Sequence, residues 1–407
     1  MCTHAVVRPS SGLKERMNRA FLALNIGSSS IKLALFDAVA LEPILRGDIT
    51  DVGHDGHATF RSRGQTIDQT ASERPAAADI GEAVRWLLSE LRTRHPEVSL
   101  AGAGHRVVHG GTRFDQPVRV DASVLAELEA LAMLAPAHQP AEVALIRSVQ
   151  ELLPDVPQVA CFDTAFHRTQ PRLTQWFALP RALSDSGVVR IGFHGLSYEY
   201  IAGVLPQIAG GHSYGKAVVA HLGHGASVCA MRDRQSVSTS MGFTPLDGLM
   251  MSTRCGAIDP GVLLYLQQQR GMSVQGVADL LGNRSGLLGV SGISGDVRVL
   301  EASGDPRARE ALEMFADRAA AAIASQCVVL DGLDALVFTG GVGEHSAGIR
   351  AGICGRLRWL GVELDGEANA RHAQRIGRAG APVGVFVVPT DEEIVIARAV
   401  RQVLGSA

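Results

Sequence analysis

The sequence predicts an α/β protein built from two similar domains, and three observations carry that prediction. Apolar, β-rich runs recur ahead of turns rich in glycine or small residues: FLALNIGSSS (21–30), AGAGHRVVHGG (101–111), PQVACFDTAFH (157–167), AVVAHLGHGAS (217–227), ALVFTGGVGE (335–344) and VGVFVVPTDEE (383–393). Longer stretches with helical spacing separate them, at 76–93, 121–134, 140–152, 307–330 and 391–405, and alternation of the two signals implies an α/β fold. Finally, FLALNIGSSSIKLALFD (21–37) lies over AVVAHLGHGASVCAMRD (217–233), aligning Gly27 with Gly223, Ala34 with Ala230 and Asp37 with Asp233. Both strings read as strand, short turn, strand, aspartate. A duplication is expected, each copy opening with a hairpin whose tip offers backbone N–H groups to phosphate. Two unrelated hairpins are the alternative.

Composition sets the bounds. At ~150 residues per domain, 407 residues suggest two or three domains. With 46% hydrophobic and 19% charged residues the chain is a folded one. Only 5% is aromatic and the net charge is -3, which argues against nucleic acid as a partner. Glycine, 45 residues or about 11%, exceeds the usual ~7%. The surplus is expected at strand ends, at Gly27, Gly104, Gly110, Gly111, Gly192, Gly195, Gly223, Gly225, Gly340, Gly341 and Gly343. Six widely spaced cysteines without a C-x-x-C fit thiols in a reducing compartment. No apolar run approaches ~18 residues, so no membrane span is expected. Residues 1–20 lack the apolar core of a signal peptide, so a cytoplasmic protein with a frayed tail at 1–19 is expected.

Two motifs are decoys. GGHSYGK (210–216) has P-loop spacing, but Ala217 stands where the motif needs Ser or Thr, and the string precedes a strand. His105 and His109 have zincin spacing, but Arg106 replaces the catalytic glutamate, and on a strand the two histidines stand roughly 13 Å apart.

In chain order, the remaining motifs suit phosphoryl transfer, which needs phosphate loops, a carboxylate for a metal ion and cations around the moving group. NIGSSSIK supplies Asn25, Ser28, Ser30 and Lys32. An ordinary hairpin turn is the plain alternative, which a lysine inside an apolar strand makes less comfortable. GHRVVHGG places Arg106 in an apolar strand, where it needs a carboxylate or phosphate, or an internal salt bridge. Asp163 ends a strand, as a functional carboxylate or as a helix N-cap. His194 sits in a glycine-flanked turn. Arg254 lies in a polar turn before a helix, a position that favours an anionic ligand. Asp391, Glu392 and Glu393 precede the last helix, where acids are also simply stabilising.

Taken together, NIGSSSIK, GHRVVHGG, APAHQP, CFDTAFH, GFHGLS, GFTPLDGLMMSTRCGAIDPG, SGISGDVR, FTGGVGEHS and PTDEEIVIA resemble the acetate kinase family over residues 21–405. That family belongs to the superfamily of acetate and sugar kinases, heat-shock chaperones and actin. The resemblance implies two duplicated ribonuclease H-like (actin-like) domains with the active site in a cleft between them. The expected boundaries are 20–166 plus 391–407 for one domain and 167–390 for the nucleotide-binding other. Closure of the cleft would exclude water. The implied reaction is reversible transfer of the ATP γ-phosphate to acetate, directly and in line, with Mg2+, or Mn2+ in its place.

Residue by residue, the resemblance makes Asn25 and Glu392 the metal-linked pair, and Ser28, Ser30 and Lys32 the phosphate loop. Arg106 and Arg254 would hold the acyl carboxylate and the transferred group. His194 would stabilise the transition state, with His138 nearby. Asp163 matches the essential aspartate; orientation is favoured over proton removal, because a carboxylate acceptor is already ionised at pH 7. His221, Leu222, Gly223, His224 and Gly225, and Gly341, Val342, Gly343, Glu344 and His345, match the phosphate and adenosine loops. Asp296, Val297 and Arg298 match the adenosine-contacting segment. Val108 and Pro245 match the acyl pocket. Homodimerisation is implied as well.

Three positions depart from the family pattern. His224 and His345 replace asparagines, which bears on nucleotide affinity. Ala137 replaces a leucine, so a longer acyl group is expected to enter, with some propionate activity. The alternatives are a propionate or other short-chain acyl kinase and a non-catalytic nucleotide-binding member. Arg106→Ala is expected to lose most turnover with the fold intact.

Overall fold

The computed structural model describes residues 19–27, 31–50, 57–62, 65–69, 80–136, 138–208 and 215–405. Ser28, Ser30, Ala137, residues 1–18 of the expected tail and most of the P-loop decoy lie outside them. The described chain divides into two compact units. One runs to Ala165 and resumes at Asp391; the other is Phe166–Thr390.

The first unit is built on a mixed sheet. Its strands are β1 (Arg19–Ile26), β2 (Ile31–Asp37), β3 (Pro43–Thr50), β4 (His57–Ser62), β5 (Gln65–Gln69), β6 (Ser99–Val107), β7 (Val118–Arg119) and β8 (Gln158–Phe162), in the order β5-β4-β3-β2-β1-β6-β8-β7. Arg19, expected in the tail, is the first residue of β1 and pairs with Ser99. The β1–β3 meander is antiparallel, whereas β6 and β8 run parallel to β1. Helices α1 (Ile80–Arg94), α2 (Ala122–Ala130) and α3 (Gln139–Leu152) follow the apolar periodicity of the sequence. Leu22 and Leu24 of β1 pack with Val84, Leu87 and Leu91 of α1 and Leu145 and Val149 of α3. Fully buried leucines of this kind each contribute roughly 1.5–3 kcal/mol.

The second unit repeats the central pattern. Its helix α4 (Gly195–Ile208) precedes β9 (Lys216–Leu222), β10 (Ala226–Arg232) and β11 (Gln235–Thr239), and β12 (Ala335–Thr339) and β13 (Gly384–Val387) follow much later. The sheet order is β11-β10-β9-β12-β13. The hairpins are antiparallel, while β12 and β13 run parallel to β9. Between β11 and β12 come α5 (Pro260–Gln268), α6 (Val274–Asn283) and the long α7 (Pro306–Leu330). Asp305 caps α7 by accepting from the Arg307 N–H, and Pro306 opens it where no N–H is needed. After β12 come α8 (Gly340–His345) and α9 (Ala347–Arg356). The last helix, α10 (Glu392–Leu404), returns to the first unit and packs on β1 and β6.

Three details correct the sequence reading. Gly104 is not at a strand end. It lies inside β6 with Gly102, where a Cβ would stand 2.4 Å from Ile396 and 2.6 Å from Leu404 respectively, so both glycines admit α10. The hairpin alignment slips after the turn, because four residues (27–30) join β1 to β2 and three (223–225) join β9 to β10. Asn25 faces Lys32, and its equivalent His221 faces Ser227, so Lys32 corresponds to Ser227. Lastly, β3, β4, β5, β7 and β11 are absent from the predicted strands. PILRGDIT, HATFRS and QTIDQ mix charge and polarity with their few apolar residues, which conceals a strand at a sheet margin.

Candidate active site

In the first unit the ends of β1, β6 and β8 and the start of α10 bring four predicted residues into one network. Arg106 reaches a single carboxylate oxygen of Asp163 with two nitrogens, Nη2 at 2.6 Å and Nε at 3.1 Å. Its Nη1 lies 3.3 Å from Asn25 Oδ1. Asn25 Nδ2 in turn donates to Glu392 at 2.8 Å. Asp163 is therefore the salt-bridge partner that Arg106 needs, not a helix cap. Burial alone would lower the Arg106 pKa, but the charges of Asp163 and Glu392 outweigh it and push it upward. Burial pushes the Glu392 carboxyl up to about 7, against the pull of Arg106. The other Asp163 oxygen, Oδ1, is buried without a hydrogen-bond partner.

Neighbouring residues complete this constellation. Lys32 is exposed on the otherwise apolar β2 and faces Asn25 across the hairpin. Asp391 caps α10 and pairs with Arg46, which leaves Glu392 to turn inward. Val108 is buried just beyond Arg106. His138 stands at the N-cap of α3.

Sequence reasoning missed the residues that hold this strand end. Glu142 accepts the Val108 N–H at 2.9 Å, and Gln139 accepts the His109 N–H at 3.2 Å. Burial pushes the Glu142 carboxyl up to about 7, with Arg106 pulling the other way. The available signal was periodicity: Gln139 and Glu142 share their helix face with Val143, Ile146 and Val149.

In the second unit the predicted residues gather around the tip of the β9–β10 hairpin. His194 and His221 stack with ring centres 4.2 Å apart. A methyl group on Gly225 would stand 3.2 Å from His194 Nε2 and 3.5 Å from Arg254 Nη1, so both groups face that loop. Arg254 is anchored through the Pro245 carbonyl at 3.1 Å. Burial, helped by Arg254, lowers the His224 pKa. A Cβ on Gly223 would come within 3.9 Å of the Gly341 nitrogen, which places the two predicted phosphate loops side by side. Gly340 takes φ +77, and a Cβ there would lie 2.8 Å from the Leu222 carbonyl oxygen, so the position requires glycine. Glu344 closes the second loop by accepting the Gly340 N–H. Arg350, missed from sequence, is fully buried and donates to the Gly343 and Glu344 carbonyls. Leu222, Gly343 and Val297 are buried, and His345 is exposed at the far end of α8. Asp296 and Arg298 pair with each other, and Asp296 caps the short helix that follows.

The donor set of the first unit suits Mg2+. Asn25 and Glu392 are hard oxygen ligands beside a buried, unpartnered Asp163 oxygen. Among the described residues no group of three or more His, Cys, Asp or Glu is set to hold a metal. No helix of the described residues is long and apolar enough to cross a membrane.

Comparison with known proteins gives consistent matches. The model of the acetokinase family matches residues 20–398. An acetate kinase of Rhodopseudomonas palustris is 50% identical over 390 residues, covering 94% of this chain and 98% of that relative. A propionate kinase of Citrobacter rodentium is 44% identical over 397 residues, covering 95% and 97%. Among solved structures, a propionate kinase from Francisella tularensis superposes with a TM-score of 0.87 at 36% identity, covering 95% of this chain and all of that one.

Proposed function

The chain belongs to the acetokinase family, and we propose that it transfers the ATP γ-phosphoryl group reversibly to acetate, in line, giving acetyl phosphate and ADP. The observation that carries this reading is the Asn25–Glu392–Arg106–Asp163 network, an arginine held for an anion beside oxygen donors for a metal. Acetate is ionised at pH 7 and needs no base. Asp163 accordingly orients Arg106, whose guanidinium steers the acceptor carboxylate. Arg254 and His194 face the Gly225 loop, where they stabilise the charge on the transferred phosphoryl group. Asn25 and Glu392 would hold Mg2+, which supplies charge neutralisation to the nucleotide phosphates. Lys32, with Ser28 and Ser30, and the loops His221–Gly225 and Gly341–His345 bind the phosphates, and Asp296–Arg298 contacts the adenosine.

An acyl-hydroxamate assay with ATP, Mg2+ and acetate tests the assignment. Hydroxamate is expected, and none with any short acid overturns it. Propionate is a second substrate on this reading, as relatives named propionate kinases match at similar coverage. A kcat/KM preference for acetate of ~100-fold or more would refute it, since one methylene is worth roughly 10–200-fold. The protein is expected to act in the cytoplasm and to form a homodimer. Helix α5 buries none of its residues and exposes Val262, Leu264 and Tyr265, apolar side chains that suit contact with a second copy. Light scattering at the monomer mass would refute the dimer.

A further inference from the structure

The two stacked histidines share an arrangement behind their rings. His194 Nδ1 lies 2.8 Å from the Ser227 hydroxyl, and His221 Nδ1 lies 2.9 Å from the Ser197 hydroxyl. Both serines are fully buried. Ser227 also meets the Tyr198 hydroxyl at 2.5 Å, and Tyr198 is fully buried too. In each ring the other nitrogen faces the glycine loops: a Cβ on Gly225 would stand 3.2 Å from His194 Nε2, and one on Gly340 3.2 Å from His221 Nε2.

We infer that Ser227 and Ser197 are positioning residues that fix both imidazoles in the same neutral tautomer, with hydrogen on Nε2 and directed at anionic oxygens of the nucleotide and the transferred group. The inference rests on the functional reading of His194 and His221 given above. A phenol is the stronger hydrogen-bond donor of the two hydroxyls and the weaker acceptor. Tyr198 therefore donates to Ser227 Oγ, and the single hydrogen of Ser227 goes to His194 Nδ1. With Nδ1 accepting, a neutral ring must carry its hydrogen on Nε2. The reverse order would turn a lone pair toward an anion. Stacking supplies the second constraint, because two imidazolium rings 4.2 Å apart would repel each other. At least one ring then binds as a neutral donor, and Arg254 brings the positive charge.

Imidazole 15N NMR of the intact protein, with His194→Gln and His221→Gln used for assignment, reads the tautomers. Both rings are expected as Nε2–H, and an Nδ1–H ring at either site overturns the inference. Kinetics give an independent reading. Ser227→Ala is expected to lower kcat about 10–100-fold with the acetate and ATP KM values nearly unchanged, as for a weakened transition-state donor. Ser227→Thr, which keeps the hydroxyl, should restore most of it, and Tyr198→Phe should cost less than Ser227→Ala. Ser197→Ala should instead raise the KM for ATP. Wild-type kcat in Ser227→Ala overturns the inference. If Ser227→Ala does not fold, the wild-type tautomers together with Ser227→Thr and Tyr198→Phe still decide. Unchanged turnover in His194→Gln would refute the functional reading of that ring, while the tautomer measurement stands apart from it.

Discussion

The β1–β2 and β9–β10 hairpins have the same pairing and the same place in their sheets, yet they present opposite chemistry. In the first, Asn25 faces Lys32 and reaches a guanidinium and a buried carboxylate. In the second, His221 faces Ser227 and stacks on another imidazole. The neighbouring strand extends the contrast. Arg106, the penultimate residue of β6, takes the register position at which Thr339 ends β12, and His105 stands where Phe338 stands. One scaffold thus carries an arginine–carboxylate network at one hairpin and stacked imidazoles beside open glycine loops and Arg254 at the other. The lesson is that the backbone sets which positions point at a ligand, while side chains at a handful of strand-end positions decide what kind.

The sharpest way to break the comparison is at Arg106 and Thr339. Arg106→Ala should lower kcat/KM about 10³-fold or more. It should also cost about 3–5 kcal/mol of stability, because it strands the buried Asp163. The structure thereby revises the expectation that the fold of this variant is untouched. Thr339→Ala should change kcat/KM less than tenfold. Assay and urea unfolding of both variants check this, and similar losses in the two would show that the chemistry is not segregated as described.

Next come the paired hairpin positions. Asn25→Ala should raise the Mg2+ concentration needed for half-maximal rate about 10–100-fold, the usual scale for residues supporting a metal site. His221→Ala should raise the KM for ATP and leave the metal requirement alone. A Mg2+ titration of both variants decides, and matching shifts would make the two hairpins functionally equivalent.

The third test concerns acid stability. Burial lowers the His105 pKa to about 4. The unfolded chain, at the usual ~6.5, therefore takes up the proton first as pH falls. The stability this gives is complete above ~6.5, is lost progressively down to about pH 4, and is at most ~3 kcal/mol. Glu142 and Glu392, both raised to about 7, act in the opposite direction, losing their contribution as pH rises from ~4.5 through 7. His105→Phe, which installs the residue of the second copy, should remove the His105 slope and leave that of the two glutamates. Denaturant titrations across pH 4–8 measure both slopes, and an unchanged acid slope in the variant would show that His105 is not its source.

The smallest expected effect is at Gly340. Gly340→Ala forces a side chain into φ +77 against the Leu222 carbonyl and should cost about 1–3 kcal/mol, with weaker ATP binding. Gly223→Ala, in the facing loop, where a Cβ would meet nothing closer than 3.4 Å, should cost less. Calorimetry with and without ATP ranks the two.

Much of this was legible in the sequence because it is local. Apolar runs, glycine turns and capping aspartates announce themselves within ten residues, and Arg106, Asp163 and Arg254 stand out as charges in apolar or turn contexts. What escaped depends on register and distance. The one-residue difference between hairpin turns moves Ser227, not Val228, opposite His221, and no short-range pattern reports a loop one residue shorter. Glu142 and Ser227 act through hydrogen bonds to residues brought near only by folding. A serine in a small-residue turn or a glutamate on a helix carries little signal of that kind. Gly104 of β6 was noticed but misplaced and Gly102 was not singled out, since the helix they accommodate lies almost 300 residues further along.

That late helix has a consequence for synthesis. The second unit is one unbroken stretch, Phe166–Thr390, whereas the first is finished only by Asp391 and the residues after it. A ribosome delivers the chain N-terminus first. The half translated earlier must therefore wait, with β1 and the glycine face of β6 uncovered, until the last helix emerges. Glu392 arrives with that helix, so no nascent or truncated chain ending before it holds the complete Asn25–Glu392 pair. Assembly of the Asn25–Glu392 pair therefore waits until α10 has been made.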